Sequence, residues 1–179
     1  MSGVFAIVGP SGVGKDTVME AVAARLPAVR LVRRVITRPA EAGGEAFEGV
    51  TPEDFARRRA AGDFALHWEA HGLAYGVPAP VADDIAAGHP VLFNGTRAML
   101  PEAARVFPGL TVVYLTARPE VLAARLAARG RESEAEIARR LDRALLPLPE
   151  GLDVVEIDNS GPLDEAVNHL AALVQPVRA

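Results

Sequence analysis

Seven residues, Gly9-Pro10-Ser11-Gly12-Val13-Gly14-Lys15, stand between an apolar run, Val4 to Val8, and a helix-like run from Thr17 to Leu26. A strand, a loop of the form G-x-x-x-x-G-K and a helix, in that order, make the context in which backbone wraps phosphate groups. Glycines let the chain curl until successive N–H groups point inward, and the following helix adds its positive N-terminal end. Lys15 is the single lysine of the 179-residue chain, and the other eighteen cationic side chains are arginines. A chain that otherwise uses arginine keeps a lysine where a compact, flexible ammonium reaches phosphate oxygens. The loop from Gly9 to Lys15 therefore predicts a site for ATP, with Lys15 bridging the outer phosphates.

The motif departs from the usual pattern at its last position. A Ser or Thr normally follows the lysine and contacts Mg²⁺; here Asp16 stands there, with Thr17 one step on. A carboxylate beside polyphosphate is costly unless a cation lies between them. Asp16 is thus a candidate Mg²⁺ ligand, direct or through water. The alternative is an acidic first-turn residue that favours the helix dipole. Asp16 and Thr17 extend the expected nucleotide-binding set.

Half the residues are apolar, enough for one domain of this length to bury a core. The absence of cysteine excludes a disulfide framework and a thiolate metal site. Apolar runs are too short to span a bilayer, and the N-terminus carries neither a basic region nor a cleavage site. The expectation is a cytoplasmic enzyme without membrane partners. A net charge of −4 argues against a nucleic-acid surface. Oligomeric state stays open, a homodimer included.

Strand-like and helix-like runs alternate along the chain. Strands are expected at Val4–Val8, Leu31–Thr37, Phe64–His71, Leu73–Val77, Pro90–Phe93, Leu110–Thr116 and Asp153–Ile157. Helices are expected from Thr17, from Pro52 behind a Thr51 N-cap, and over Val81–Ala87, Arg97–Val106, Pro119–Ala128, Ser133–Leu145 and Leu163–Val174. Four of the strands alternating with helices predict an α/β fold with a parallel central sheet. A single domain is expected, with a core of residues 1–32, 81–124 and 147–179. Residues 33–80 read as a β-rich insertion that binds the acceptor, and residues 125–146 as a helical lid.

Arg33, Arg34 and Arg38 fall within six residues of one another in a small-residue and apolar setting, and arginine forks bind phosphate bidentately. They suggest an anionic acceptor, against the alternative of a solvated strand face. Tyr75 either donates its hydroxyl to a phosphate or packs. Arg97 follows Asn94-Gly95-Thr96 at the end of an expected central strand, where open α/β sheets bind ligands. Arg125, Arg129 and Arg131 span a helix end and the turn at Gly130, and Arg139, Arg140 and Arg143 follow on the next helix. A hinged arginine-bearing helix pair suits a lid that steadies charge on a transferring phosphoryl group. Arg129 and Arg131, which flank the turn, are the catalytic candidates beside Lys15; surface pairing with Glu132, Glu134 and Glu136 is the alternative and accounts for about half of the six. Asn159, after the last strand, is a candidate neighbour of the adenine, against a plain loop role. The four histidines show no metal-ligand spacing.

These motifs carry a resemblance. The order of phosphate loop, Ile36-Thr37-Arg38-Pro39, Gly72-Leu73-Ala74-Tyr75-Gly76 and Arg129-Gly130-Arg131 resembles the guanylate kinase fold over nearly the whole chain. It departs from guanylate kinases where they read their substrate. Glu41 stands for a phosphate-binding arginine, Phe47 for a phosphate-binding tyrosine, and Leu66 and Arg34 for the glutamate and serine that read guanine. Losing such polar readers argues against GMP. The Gly14-Lys15-Asp16 step, Ala65-Leu66-x-Trp68-x-Ala70-x-Gly72-Leu73-x-Tyr75-Gly76-Val77 and Asn94-Gly95-Thr96-Arg97-Ala98 resemble instead the ribose 1,5-bisphosphate phosphokinases of phosphonate breakdown. That resemblance implies ATP- and Mg²⁺-dependent phosphorylation of a sugar bisphosphate to 5-phosphoribosyl 1-diphosphate, with Arg34, Arg38, Tyr75, Asn94 and Arg97 holding the acceptor. Guanylate kinases place a metal-serving aspartate where Asn94 stands. The expectation is that this carboxylate has moved to Asp16, leaving Asn94 for an acceptor hydroxyl or phosphate. The rival readings are a guanylate or other nucleoside monophosphate kinase and a catalytically dead binding module.

Overall fold

The computed structural model describes residues 3–39, 46–130, 132–144 and 146–175. Five strands form the central sheet: β1 (Val4–Val8), β2 (Arg30–Leu31), β7 (Val91–Asn94), β8 (Thr111–Thr116) and β9 (Asp153–Asp158), in the order β2-β7-β1-β8-β9. Every pairing is parallel, so connections must cross over through helices. Those helices cover both faces, which is why β1 and β7 are buried along their whole length and read as near-continuous apolar runs. On one face α1 (Lys15–Arg25), α5 (Pro119–Arg129) and α7 (Leu163–Val174) pack Val18, Val22, Leu122, Val167 and Leu170 onto Ile7, Val113 and Ile157. On the other, the 3-10 turn Arg97–Met99 and α4 (Leu100–Val106) bring Met99, Leu100 and Ala103 against Ala6, Val8 and Phe93.

A second sheet of four strands has the order β4-β3-β6-β5. It contains β3 (Val35–Ile36), β4 (Glu48–Gly49), β5 (Phe64–Ala70) and β6 (Leu73–Pro78). β3 and β4 run parallel, while β3–β6 and β5–β6 are antiparallel. Leu66, Trp68 and Val77 of this sheet join the core beneath α4, so the two sheets share apolar packing. α2 (Pro52–Ala60) starts as its sequence predicts, with Thr51 Oγ1 accepting from the Asp54 N–H and Pro52 in the first turn.

One expected strand is corrected. Leu31–Thr37 is not continuous: it is β2 in the central sheet and β3 in the second sheet. Val32 N–H still donates to Leu92 O, but by Val35 the chain has turned to pair with Gly76 and Glu48. The apolar run serves two sheets, and only long-range pairing shows where it divides. β2 also makes the central sheet five-stranded, and β4 carried no sequence signal.

α3 (Val81–Ala86) leads into β7, and α6 (Glu134–Ala144) follows α5 and packs against it. The carboxyl ends of β1, β7 and β8 lie at one edge of the central sheet, in register through Ile7↔Asn94 and Val8↔Tyr114. Among the described residues no helix is long and apolar enough to cross a membrane.

Candidate active site

β1 delivers the chain into the glycine loop, and the loop's geometry depends on residues without a Cβ. A side chain at Gly9 would begin 2.4 Å from Leu115 O of β8, so the loop can lie against the sheet only as glycine. Gly14 is the N-cap of α1 at φ 95, in the left-handed region, and no side chain caps the helix. The first N–H groups of α1 therefore have no side-chain acceptor and suit an anion. Lys15 folds back over the loop, its Nζ donating to Gly9 O at 2.9 Å and Pro10 O at 3.3 Å.

A cavity of about 710 Å³ opens in front of this loop. Its floor is Gly9, Pro10, Ser11 and Lys15. The segments flanking β3 contribute Arg34 and Arg38, β5 and β6 contribute Glu69 and Tyr75, the end of β7 and the turn after it contribute Asn94, Thr96 and Arg97, and α6 contributes Arg140 and Arg143. Among the described residues, five arginines and a lysine thus face one acid, Glu69, in a chain of net charge −4. Positive charge is gathered at this cavity.

Arg34 is 4% exposed. Its guanidinium lies 5.1 Å from the ring centre of Tyr75 and 5.7 Å from that of Trp68. Those two rings face each other as a cross-strand pair, stacked at 5.3 Å. Arg38 lies over Phe47 at 4.3 Å. Arginines can be buried in this way because the planar group is weakly hydrated and stacks on aromatic faces. Phe47 supplies a platform where a tyrosine would supply a hydroxyl.

Arg97 has a different set of partners. It donates to Arg143 O at 2.6 Å, Ala144 O at 3.0 Å and the Tyr114 hydroxyl at 2.9 Å, and that hydroxyl donates to Ala144 O at 3.0 Å. It lines the cavity while holding the C-terminal carbonyls of α6, the end of a helix that favours a cation. At the other end of α6, Ser133 and Glu136 form a reciprocal cap: Ser133 N–H donates to Glu136 Oε2 at 2.7 Å and Glu136 N–H to Ser133 Oγ at 3.3 Å. The Ser133 backbone N–H, and then its hydroxyl, hold the Glu136 carboxyl below the usual glutamate range.

A protein-family model described as an AAA domain matches residues 6–140. The ribose 1,5-bisphosphate phosphokinase PhnN of Ruegeria sp. (strain TM1040) is 52% identical over 177 residues, covering 98% of this chain and 93% of the relative. The chain belongs to the ribose 1,5-bisphosphate phosphokinase family. A PhnN of Agrobacterium fabrum is 46% identical, with 94% of each chain covered. Among solved structures, a guanylate kinase from Anaplasma phagocytophilum superposes with a TM-score of 0.70 at 19% identity, covering 97% of this chain and 84% of that one. A gluconokinase from Sinorhizobium meliloti gives 0.53 at 21%, covering 97% and 93%. These two likenesses concern the fold, which is that of a guanylate-kinase-like P-loop kinase.

Within this phosphokinase, the cavity brings together the expected Lys15, Arg34, Arg38, Tyr75, Asn94 and Arg97. Arg129 ends α5, is exposed, and does not line it. Arg131 and Glu41 lie outside the described residues. Thr17 is exposed on the first turn of α1. Asn159 is 4% exposed and braces the loop from behind: its Nδ2 donates to Val13 O at 2.7 Å, and its Oδ1 has no hydrogen-bond partner. Arg125 joins it, donating to Val13 O and Asn159 O. Leu66, 2% exposed, belongs to the core.

Arg140 gains a weight that its sequence position did not give it. Its Nη1 donates to Ser11 Oγ at 2.7 Å, and its Nη2 lies 3.2 Å from Glu132 Oε1. Arg140 and Arg143 are three apart and share a face of α6, and that spacing is the signal that could have singled them out. Thr96, whose buried Oγ1 has no partner, also lines the cavity, and nothing in the sequence distinguished it from its neighbours.

Proposed function

We propose that the chain transfers the γ-phosphoryl group of ATP to the 1-phosphate of ribose 1,5-bisphosphate, giving 5-phosphoribosyl 1-diphosphate and ADP. One observation carries the reading: among the described residues, five arginines and Lys15 line a cavity with a single acid. Such a concentration of cations suits a triphosphate donor together with an acceptor that carries two phosphates. The acceptor has no base, and the buried Leu66 offers no polar edge to read one.

An oxygen of the 1-phosphate is already ionised at neutral pH, so it attacks without a general base. Its bond to the γ-phosphorus forms as the bond from that phosphorus to the β,γ-bridging oxygen breaks. ADP leaves with the electron pair, and no proton needs to move. The loop N–H groups and Lys15 hold the donor phosphates, with Gly9 to Thr17 as the binding segment. Arg140, tethered at Ser11, presents a guanidinium where charge spreads over the equatorial oxygens. Arg34, Arg38, Tyr75, Asn94 and Arg97 hold the acceptor. The unpartnered Oδ1 of Asn159 is an acceptor for a donor on the adenine. We assign residues 125–146, the end of α5 with α6, to a lid, and Arg129 and Arg131 act only once it closes. The second sheet is the acceptor-binding unit.

Among the described residues no group of three or more metal-binding side chains occurs. A single carboxylate, Asp16, fits a Mg²⁺ that takes its remaining ligands from phosphate and water. Bound there with ATP, the ion would neutralise charge on the β- and γ-phosphates. A cytoplasmic location accords with the use of ATP.

ADP release measured with ribose 1,5-bisphosphate, ribose 5-phosphate and GMP in turn tests the reading. Turnover of the bisphosphate alone is expected. Turnover of GMP at a comparable rate would favour a nucleoside monophosphate kinase instead.

A further inference from the structure

In a P-loop the Ser or Thr after the lysine gives a neutral hydroxyl, and an aspartate at the end of a core strand gives the charge, and together they serve the Mg²⁺ of the nucleotide. Here both positions are altered, and they are altered oppositely. The neutral hydroxyl is replaced by Asp16, and the core strand beside β1 ends in Asn94. The two side chains touch: Asn94 Nδ2 donates to Asp16 Oδ1 at 2.9 Å. Asn94 is 8% exposed and held in register opposite Ile7, the residue before Val8 at the end of β1. It is a rigid donor on a sheet, aimed at a carboxylate on the first turn of a helix.

We propose that charge and neutral partner have exchanged places: Asp16 serves the nucleotide-bound metal, and Asn94 is the positioning residue that orients it. An aspartate at both places would set two carboxylates side by side, which disfavours ionisation of one of them. Neutral groups at both would leave no charge for the metal. With one of each, the Asn94 amide fixes Asp16 Oδ1 and leaves Oδ2 for the ion or its water, as partners behind a ligand commonly do.

The exchange also has a consequence for the acceptor, and this part rests on the function proposed above. Asn94 stands between two spaces: it lines the arginine-rich cavity with Arg34, Arg38 and Arg97, and the adjoining cleft with Asp16, Arg33 and Glu20, while Asp16 lines only the cleft. A carboxylate at position 94 would stand among the groups that receive two phosphates and repel them. Moving the charge to position 16 removes it from that cavity and keeps it next to Lys15.

The test is calorimetric binding of ATP with Mg²⁺ and again with EDTA, without acceptor, on the full-length wild type and four variants. These are Asp16→Asn, Asn94→Ala, Asn94→Asp and the exchange Asp16→Asn with Asn94→Asp. Electron paramagnetic resonance of Mn²⁺ bound with ATP gives a second readout of the same site. In Asp16→Asn the metal-dependent gain in ATP affinity should fall by about tenfold or more, and in Asn94→Ala by a smaller factor in the same direction. The exchange variant should recover most of that gain while raising the KM for the sugar bisphosphate. An unchanged metal gain in Asp16→Asn would overturn the proposal. So would an exchange variant that melts like wild type but recovers nothing. Because ATP and metal binding are read without acceptor, failure here is separable from a wrong acceptor assignment, which the ADP-release assay reports.

Discussion

Arg140 Nη1 and Ser11 Oγ are 2.7 Å apart, a direct bond between the middle of α6 and the phosphate loop 129 residues earlier in the chain. Through it α6 is tethered to the phosphate loop, and the guanidinium stands beside the residues that curl around phosphate. Arg140→Ala should lower kcat by about 100-fold, the loss typical of one preorganised donor to transition-state charge. The KM for ATP should change much less. Arg140→Lys should rescue poorly, because an ammonium lacks the planar fork. Steady-state kinetics with both substrates varied would check this. A loss confined to KM would assign Arg140 to ground-state binding.

Arg97 fastens the other end of the same helix through Arg143 O, Ala144 O and Tyr114. Arg97→Met should raise hydrogen exchange across the last turn of α6 and slow catalysis together. Tyr114→Phe removes only the hydroxyl that donates to Ala144 O and should cost about 1 kcal/mol. If Arg97→Met raised the acceptor KM without changing exchange in α6, the acceptor contact would outweigh the fastening.

Arg34→Ser should weaken the acceptor strongly, with KM for the bisphosphate up by about tenfold or more, since a charge-assisted bond is worth about 1.5–3 kcal/mol. Arg34→Lys should fare little better, because the stacking on Tyr75 and Trp68 depends on a flat guanidinium. Neither variant should phosphorylate GMP, since Leu66 remains in the core.

Asn159→Ala should loosen the loop it braces. The bond to Val13 O is buried, and its loss leaves that carbonyl only the longer bond from Arg125, at a cost of about 1 kcal/mol. A lowered Tm with a raised KM for ATP is the expected pair of changes, read by thermal denaturation with and without nucleotide. Unaltered values of both would remove Asn159 from the nucleotide site.

The cap at Ser133 and Glu136 makes α6 sensitive to acid. The Glu136 carboxyl is held below its ordinary range by Ser133, so its contribution is complete above the unfolded-state pKa. It is lost as pH falls through the lower, folded-state value. Hydrogen-exchange protection of the first turn of α6 should drop in that acidic window, and Glu136→Gln should abolish the pH dependence. Protection that is level through the window would mean the cap does not set the stability of this end.

The phosphate loop, the parallel sheet and most of the helices were legible because each is announced locally: an apolar run, a glycine spacing, a Thr51-Pro52 start. What escaped depends on partners distant in sequence. Nothing within Leu31–Thr37 marks where pairing passes from Leu92 to Gly76. Arg34 and Arg38 were found from their clustering, but their aromatic platforms, Trp68, Tyr75 and Phe47, come from residues far along the chain. Arg140 was passed over in favour of Arg129 and Arg131 because a turn suggests a hinge, whereas contact with Ser11 is a property of how α6 lies on the loop. Asn159 was read only as a neighbour of the base; its bracing of the loop was not legible, since only the fold brings it against Val13 and Gly14.

Phosphorus NMR of the products formed from ATP and Mg²⁺, with ribose 1,5-bisphosphate and GMP offered in parallel reactions, tests the central claim most directly. A new diphosphate signal on the sugar, with GMP unchanged, is the predicted result. A GDP signal, with the bisphosphate unchanged, would contradict it and would mean that the arginine-lined cavity receives a nucleotide.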